Sequence, residues 1–350
     1  MAGIDSAHRA EELGADRTTR AAVCVELTGE DGIEIADWPV PPVGDRDIRI
    51  SVRAASVNFP DCLMVRGQYH FRPDLPFVPG SESAGIVTEI GAAVTGFRGG
   101  DRVLALNGFG AFASDVVVSN AMPVYRIPEA MSFDEGSAFL MTYGTSYHGL
   151  VRRGGLRAGE SVLVLGATGG CGSAAVQIAK AAGATVVAVA GGEAKCAAAR
   201  ELGADVVIDH RTTSSLSESV RDATGGRGVD LVFDPVGGED IREPLRCLAW
   251  DGRYLVIGFA GGGIPVVRLN QTILKSISLI GVAFGASVIK DPEAGAADFA
   301  QLSRWYEEGS VRPLVGARFP LERTADAMRV VHERRAIGKV VVTVENSRSR

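Results

Sequence analysis

A glycine-rich turn between an apolar run and a helical pattern could hold the phosphates of a dinucleotide. The segment 162–180 reads Val-Leu-Val-Leu-Gly-Ala-Thr-Gly-Gly-Cys-Gly-Ser-Ala-Ala-Val-Gln-Ile-Ala-Lys. Gly169 permits a tight turn, Gly170 lets the backbone approach a pyrophosphate, and Gly172 lets the helix pack near the strand. The free N–H groups and the dipole of the helix start would then bind the phosphates. Ala167 replaces the first glycine of the usual pattern, so the interpretation also depends on the alternating strands and helices that follow.

The residues at the end of the next strand indicate whether NADH or NADPH binds. A site selective for NAD has an acid there to bind the ribose 2′-hydroxyl. This strand ends Val-Ala-Val-Ala-Gly-Gly at 187–192, without an acid. Lys195 follows, where a cation could face a 2′-phosphate, although a solvated surface lysine is the alternative. Glu193 is better explained as a residue of the helix start. These features favour NADPH over NADH.

Composition and charge exclude several classes of protein. The chain has 350 residues, 46% of them hydrophobic, and a formal net charge of −6. The acidic balance argues against nucleic acid or an anionic membrane as the main partner. No apolar run approaches the roughly 20 residues that span a bilayer. Residues 1–20 are polar and charged, which predicts a flexible leader of undetermined role rather than a secretory signal. The chain is therefore expected to be cytoplasmic.

Cysteine and histidine spacing predicts no metal site. The five cysteines and five histidines are dispersed, without a C-x-x-C pair or a zinc-ribbon spacing. We expect reduced thiols and ordinary surface or packing histidines at Cys24, Cys62, Cys171, Cys196, Cys247, His8, His70, His148, His210 and His332.

The pattern of short runs predicts two kinds of domain. Runs separated by Gly, Pro and Asp predict a mainly antiparallel β domain; they are 21–27, 48–57, 85–90, 102–105 and 114–118. A helix is predicted over 132–151, with Ser132 and Glu135 as its capping box. Near-continuous apolar runs alternating with helices then predict a six-stranded, doubly wound parallel sheet. Its strands are 161–165, 185–190, 206–208, 231–233, 254–257 and 276–282. Later strands at 313–317 and 339–344 have no place in that sheet, so the chain is expected to return to the first domain.

Six motifs in order resemble the zinc-independent medium-chain dehydrogenase/reductases, specifically the quinone oxidoreductase (ζ-crystallin-like) branch. The motifs are Val57-Asn-Phe-Pro-Asp61, Pro76-Phe-Val-Pro-Gly-Ser-Glu-Ser-Ala-Gly-Ile-Val87, Gly99-Gly-Asp-Arg-Val103, Tyr143-Gly-Thr-Ser-Tyr147, Ala167-Thr-Gly-Gly-Cys-Gly172 and Arg335-Ala-Ile-Gly-Lys339. The resemblance implies an α/β architecture, with a GroES-like, β-rich catalytic domain at 21–146 and 284–350. A Rossmann NADP-binding domain with a doubly wound parallel sheet is inserted at 147–283. It also implies a homodimer, with 276–282 as the edge strand that pairs across it.

The same comparison indicates that zinc is absent. Zinc-containing alcohol dehydrogenases of the superfamily have Gly-His-Glu where this chain has Gly80-Ser81-Glu82. Their first cysteine ligand falls near 58–61, and their four-cysteine lobe between about 101 and 114, where this chain has no cysteine. A tetrahedral zinc site needs three or four close N or S ligands. No metal-binding residue is therefore predicted.

The resemblance also implies a set of cofactor contacts. His210 stands where relatives have a Tyr or His near the adenosine ribose, and Arg335 and Lys339 resemble C-terminal cofactor contacts. Segments 258–260, 282–284 and 142–145 match the nicotinamide side, although packing is an equal explanation for Tyr143 and Tyr147. The predicted NADPH-binding residues are Thr142, Thr168, Gly169, Gly170, Cys171, Gly172, Gly191, Lys195, His210, Gly258, Phe259, Phe284, Arg335 and Lys339.

Three residues of the segment 58–69 are the candidates for chemistry. Asn58 can donate a hydrogen bond to a substrate oxygen or hold its loop, and Asp61 is better suited to orient neighbouring groups than to act as a base. Leu63 replaces a tyrosine found in some quinone reductases. Tyr69 resembles the catalytic tyrosine of mitochondrial 2-enoyl-thioester reductases, and its phenol can donate a proton; quinone stacking and loop packing are alternatives.

The favoured function is NADPH-dependent hydride transfer to a quinone or another α,β-unsaturated carbonyl compound. No residue decides between quinone, enone and enoyl thioester, although Arg66 and Arg72 could contact the phosphates of CoA. The rival class is a non-catalytic, crystallin-type NADPH-binding protein. The expected partners are a small-molecule substrate and a second copy of the chain, without nucleic acid or membrane.

Overall fold

The computed structural model describes residues 15–119 and 121–345. The chain divides into two compact units, Met1–Leu140 with Val315–Arg350 (unit 1) and Met141–Leu314 (unit 2). Residues 284–314, which the sequence analysis gives to the first domain, thus pack with unit 2. One reason is the Gln177 side chain, whose Nε2 donates to the Arg312 carbonyl at 3.0 Å.

Unit 1 is built around a mainly antiparallel sheet, as predicted. Its central strand, residues 47–57, has antiparallel partners on both sides. Along one side residues 48–55 pair with a single strand, and along the other residues 47–51 and 54–57 pair with two different strands. The strands are β1 Arg17–Cys24, β2 Ile33–Val40, β3 Asp47–Val57, β4 Glu82–Ile90, β5 Arg102–Leu106, β6 Asp115–Ser119, β7 Val124–Arg126, β14 Val315–Pro320 and β15 Lys339–Thr343. Their order in the sheet is β14-β15-β3-β4-β5-β7, with β6 also paired to β3, while β1 and β2 form a separate pair.

The chain returns to unit 1 at its end, because β15 pairs antiparallel with β3. Short helices flank the sheet: α1 Phe59–Met64, α2 Phe133–Ser137 and α11 Thr324–His332, with 3₁₀ turns at Gly29–Gly32 and Leu321–Arg323. Ser132 begins α2 with the predicted capping box, since its Oγ accepts the Glu135 N–H and Glu135 accepts the Ser132 N–H. Aliphatic side chains of β3, β5 and β15 fill the core between them.

A strand in unit 1 and the helix that runs from unit 1 into unit 2 differ from the sequence-based prediction. Residues 17–20 of the predicted leader belong to β1 and pair with 37–40 of β2; residues 1–14 lie outside the described part of the chain. Their polar character hid the strand, although Thr19 is buried and its Oγ1 accepts the Asp115 N–H. The predicted helix over 132–151 is also interrupted after Ser137. It continues as π-helical turns at Leu140–Gly144 and His148–Arg153 on either side of α3, Thr145–Tyr147.

Unit 2 contains the predicted doubly wound sheet. Its six strands are β8 Ser161–Val164, β9 Thr185–Ala190, β10 Val206–Asp209, β11 Val229–Asp234, β12 Leu248–Val256 and β13 Ser278–Gly281. They are all parallel, in the order β10-β9-β8-β11-β12-β13. The order reverses between β8 and β11, and ligands bind at such a switch point, beyond the carboxyl ends of the strands.

Helices connect these strands. They are α4 Gly170–Ala181, α5 Glu193–Glu201, α6 Leu216–Ala223, α7 Arg242–Arg246, α8 Asn270–Ile273, α9 Phe284–Lys290 and α10 Pro292–Glu307. Strand β13 forms one edge of the sheet, as predicted, and most of its side chains are exposed. Among the described residues, none of the helices combines the length and apolar character that a membrane span requires.

Candidate functional sites in the two units

The glycine turn of unit 2 is built by close backbone packing. Gly166 adopts φ +58°, in the left-handed region that favours glycine. A Cβ on Gly172 would lie 2.1 Å from the Gly166 carbonyl oxygen, so only glycine lets α4 lie against the end of β8. This confirms the packing role predicted for Gly172. We call residues 166–172 the phosphate turn. The sequence did not predict a role for Gly166, because Gly166 lies one residue before the glycine-rich pattern, which begins at Ala167.

The start of α4 lies within this turn. Gly169 is the residue before the helix, and its extended φ and ψ of −77° and 177° leave the first N–H groups of α4 pointing out of the helix. Thr168 is buried, Cys171 is partly exposed, and the Cys171 carbonyl accepts a hydrogen bond from Ser146 Oγ at 2.9 Å. The arrangement can bind an anion without moving the backbone.

The loops after β9 and β10 contact each other, and the phosphate turn adjoins β9, because the Ala167 N–H donates to the Val189 carbonyl at 3.0 Å. Gly191 is buried and Gly192 has φ +85°. The Asp209 carboxylate accepts the N–H of Gly192 at 3.1 Å and the N–H of Arg211 at 2.9 Å. The His210 side chain lies over Gly191, since a Cβ there would be 2.5 Å from its Nε2. Gly191 and His210, both predicted contacts, are therefore neighbours.

Lys195 lies near the same loops, in the first turn of α5. Burial and, to a lesser degree, the nearby Arg211 guanidinium lower the pKa of Lys195. We call Lys195, His210 and Arg211 the basic cluster. Arg211 was missed in the sequence, where the only signal was its place directly after the third apolar strand.

The carboxyl end of β11 carries a buried acid. Asp234 accepts the N–H groups of Val236 and Gly237 at 2.8 and 2.9 Å, and it accepts a short hydrogen bond from the Tyr254 hydroxyl. Gly258 packs behind this loop, and a Cβ on Gly237 would be 2.7 Å from the ring of Phe259. Asp234 thereby fixes the loop that the predicted contacts Gly258 and Phe259 adjoin.

Phe284 packs on the π-helical segment of unit 2. A Cβ on Gly144 would lie 2.3 Å from the Phe284 ring, and the His148 ring centroid is 6.4 Å away. A cavity of about 190 Å³ is lined by Phe284, by His148 and by the ion pair of Arg152 with Asp298. Thr142 is buried and lies two residues before Gly144. Thr142 and Phe284, both predicted contacts on the nicotinamide side, therefore belong to one region.

Unit 1 holds a second polar cluster, which is almost completely buried. Lys339 Nζ donates to Asn58 Oδ1 at 2.6 Å, to Glu82 Oε1 at 3.1 Å and to the Val57 carbonyl at 3.1 Å. An ammonium group has three N–H donors, and all three have acceptors here. A cofactor contact from Lys339 would therefore require the loss of one of these hydrogen bonds.

The amide of Asn58 is held on both sides. Its Nδ2 donates to Glu82 Oε1 at 3.0 Å and to Ser81 Oγ at 3.2 Å, while Ser56 Oγ lies 2.6 Å from the same glutamate oxygen. We call Ser56, Asn58, Asp61, Ser81, Glu82 and Lys339 the buried polar network. The structure brings together Asn58, Asp61 and Lys339, which the sequence analysis had assigned to different tasks.

Asp61 is fully buried and only partly satisfied. Its Oδ2 accepts the Asn58 N–H at 2.8 Å, whereas Oδ1 has no hydrogen-bond partner among the described residues. Loss of hydration raises the pKa of Asp61 to about 7, despite the opposing effects of that N–H and of Lys339. Tyr69 is half-buried, and burial, with a smaller effect of Asp61, raises its pKa as well. Its phenol is therefore protonated at neutral pH.

Arg335 lies outside this network. Its side chain is exposed, and its Nε donates to Glu333 at 2.6 Å. Arg66, considered as a contact for CoA phosphate, is instead paired with the buried Glu30. Arg72 is exposed and donates to the Tyr69 carbonyl at 3.3 Å.

The residues of the buried polar network do not fit a zinc ion. Ser81 stands at the histidine position, and the neighbouring groups are an amide and the Lys339 ammonium, which would repel a cation. Among the residues at 15–119 and 121–345, no group of three or more His, Cys, Asp or Glu could hold a metal. Burial raises the pKa of the Cys24 thiol to about 11 and that of Cys247 to about 12, so both stay protonated.

Comparisons with known proteins agree with this architecture. The family model "Alcohol dehydrogenase GroES-like domain" matches residues 44–129, and "Zinc-binding dehydrogenase" matches residues 170–307. The chain is 35% identical to rat "Quinone oxidoreductase-like protein 2" over 95% of its length and 94% of that protein. It is 31% identical to human "Quinone oxidoreductase", over 92% and 97% of the two chains. Mycobacterial Rv1454c, solved with NADPH, has a TM-score of 0.86 and 27% identity, over 93% of this chain and 99% of that chain.

Proposed function

Because the chain belongs to the quinone oxidoreductase branch of the medium-chain dehydrogenase/reductase superfamily, we propose that it is an NADPH-dependent reductase of quinones or related α,β-unsaturated carbonyl compounds. The proposal rests on the phosphate turn together with the basic cluster. It also rests on the end of β9, where Gly191 and Gly192 stand in place of the acid that would bind the ribose 2′-hydroxyl of NAD. The NADPH in the related mycobacterial structure supports the choice of nucleotide.

The residues of unit 2 would bind the cofactor. The N–H groups at the start of α4 suit the pyrophosphate, and the basic cluster suits the 2′-phosphate. Bound NADPH supplies a hydride, which leaves NADP⁺. Gly166 and Gly172 allow the close packing that places the start of α4 at the carboxyl edge of the sheet, because a Cβ at either position would collide with neighbouring protein atoms.

The residues of unit 1 would act on the substrate. Hydride addition to a carbon conjugated with a carbonyl places negative charge on the oxygen, and a nearby N–H or O–H donor stabilises it. Lys339 Nζ donates a hydrogen bond of 2.6 Å to Asn58 Oδ1 and so fixes the orientation of the Asn58 amide. Lys339 is therefore a positioning residue in this proposal. Both N–H groups of Asn58 are donated within the network, so a substrate oxygen would have to replace Ser81 Oγ, the acceptor of its 3.2 Å hydrogen bond.

Tyr69 is the candidate proton donor. Reduction of a quinone to a hydroquinone, or of an enone to a ketone, consumes one hydride and one proton. A tyrosine phenol is protonated at neutral pH; the raised pKa of Tyr69 makes it a weaker acid, so it would donate its proton only to a basic enolate or quinone oxyanion. This residue also supports the second candidate function, reduction of 2-enoyl thioesters, because saturation of the C=C bond requires protonation of an enolate.

NADPH oxidation by the purified protein tests both candidates. We expect turnover with 1,4-benzoquinone, compared with crotonyl-CoA, in the wild type and Tyr69→Phe. Turnover of crotonyl-CoA that collapses in Tyr69→Phe would make enoyl-thioester reduction the function. Binding of NADPH without turnover of either compound would favour the non-catalytic, crystallin-type alternative.

We also propose a homodimer formed through the edge of the unit 2 sheet. Strand β13 leaves one edge unpaired among the described residues, and several large apolar side chains nearby are exposed, including Val266 (92%) and Ile273 (77%). Such an edge with apolar neighbours suits pairing with a second copy. Sedimentation should give the dimer mass for the wild type and the monomer mass for Ile273→Glu; a monomeric wild type would contradict the proposal.

A further inference from the structure

One carboxylate ties together the loops after β9 and β10. Both oxygens of Asp209 lie 3.1 Å from the Gly192 nitrogen, and Oδ1 also accepts the Arg211 N–H at 2.9 Å. These two N–H groups, more than the electrostatic effects of the nearby His210 and Arg211 side chains, lower the pKa of Asp209. The carboxylate therefore stays ionised and holds Arg211 next to Gly192.

The Arg211 side chain lies over the glycine pair at the tip of β9. A Cβ on Gly192 would be 2.8 Å from Arg211 Nη1, and a Cβ on Gly191 would be 3.2 Å from Arg211 Nε. The guanidinium thus lies close to the place where a NAD-selective site has its ribose-binding acid. Glycine at 191 and 192 keeps that place open to the guanidinium.

The guanidinium is available to a ligand. Arg211 is exposed, and within 15–119 and 121–345 no hydrogen bond or ion pair from its side chain is present. Lys195 is close enough that the two cations affect each other. An anion between them would reduce this repulsion, and a guanidinium can donate two parallel N–H bonds to a phosphate.

We propose that Arg211, positioned by Asp209, is the principal residue that selects the 2′-phosphate of NADPH. This inference rests on the proposed cofactor and assigns to Arg211 the discriminating role that the sequence analysis gave to Lys195. Lys195 then adds charge, while the planar fork of Arg211 supplies the directional contact.

Calorimetric titration with NADPH, NADH and adenosine 2′,5′-bisphosphate tests the assignment. For Arg211→Gln we expect the affinities for NADPH and the bisphosphate to fall about 30-fold, as for loss of a charged hydrogen-bond pair, with little change for NADH. Arg200→Gln is the matched control, because Arg200 is an exposed arginine in α5 of the same unit, and it should change nothing. Arg211→Lys should give an intermediate loss.

Three results would overturn the inference, and they are distinguishable from one another. If the wild type prefers NADPH and Arg211→Gln keeps that preference, Arg211 is not the selecting residue, while the proposed function stands. If Lys195→Gln alone abolishes the preference, the sequence-based assignment was right. If the wild type prefers NADH, both the cofactor proposal and this inference fail.

Asp209 has a separate readout. Asp209→Ala should reduce the NADPH-to-NADH affinity ratio, and Asp209→Asn, which keeps one acceptor oxygen, should restore part of it. A merely structural role would weaken both nucleotides equally, and that result would contradict the positioning role.

Discussion

The phosphate turn of unit 2 and the buried polar network of unit 1 are built in opposite ways. The turn spans seven consecutive residues, and its shape follows from the absence of side chains at Gly166 and Gly172. The network joins side chains far apart in the sequence, such as Lys339 and Asn58, 281 positions apart. Backbone sites of the first kind are readable from a local pattern, whereas side-chain networks require the fold.

The two regions also differ in how they tolerate change. Removing one partner of a buried ion pair strongly destabilises the folded protein, because the other charge remains buried without compensation. A glycine turn responds instead to added volume. Substitutions that remove a charge from the buried polar network, and substitutions that add a methyl group to the phosphate turn, therefore test the two regions separately.

The largest effect is expected for Lys339→Met, which leaves Glu82 without its cation. We expect a loss of roughly 3–5 kcal/mol in the free energy of unfolding, measured by urea titration. Arg335→Met is the matched control, since its ion pair is on the surface and should contribute at most about 1 kcal/mol. Equal losses in both variants would show that the network is not the source of stability.

A pH effect of similar size is expected from Asp61. Its folded-state pKa of about 7 lies above the ordinary value of 3.8, so the folded state holds the proton more tightly. The resulting stabilisation is fully present below about pH 4 and is lost as the pH rises to 7, by about 4 kcal/mol. Asp61→Asn should lack this slope, so urea titrations from pH 4 to 8 should show it gaining on the wild type. Parallel curves would contradict the buried, protonated carboxyl group.

A smaller effect is expected from Gly172→Ala. The added Cβ would meet the Gly166 carbonyl at 2.1 Å, so the turn must move. We expect a loss of about 1–3 kcal/mol and weaker NADPH binding. Gly169→Ala is the comparison within the same turn, because its Cβ would be 3.4 Å from the nearest atom, and its melting temperature should stay near that of the wild type. An unchanged Gly172→Ala would refute the close packing.

The smallest effect is expected from Tyr254→Phe, which asks whether unit 2 also depends on a buried polar contact. Asp234 keeps two backbone N–H donors after the hydroxyl is removed. We therefore expect a loss of only about 1–2 kcal/mol in a urea titration. A loss as large as that of Lys339→Met would erase the difference between the two units.

Much of the fold was predictable because its signals are local. The parallel sheet follows from apolar runs with glycine between them, and the role of Gly172 follows from its spacing. The strand pairing of 17–20 was not predictable, because its residues are polar and the partner β2 had no clear alternation. The interruption after Ser137 likewise depends on packing rather than on helix propensity.

The candidate sites divide in the same way. Asn58 and Asp61 were predicted as neighbours along the chain, but the return of β15 beside β3 is what adds Lys339 to them. Arg211 was missed because nothing in its local sequence shows that Asp209 bonds the Gly192 N–H of another loop. Tertiary contacts, not composition, create both arrangements.

The most direct test of the division between cofactor binding and chemistry is one variant, Asn58→Ala, measured for both properties. The proposed function predicts that this variant binds NADPH with a Kd within about twofold of the wild type, and that kcat with 1,4-benzoquinone falls roughly 100-fold, as for loss of an oxyanion donor. Full binding stoichiometry would show that the variant is folded. A kcat close to that of the wild type with a Kd weakened tenfold or more would contradict the account.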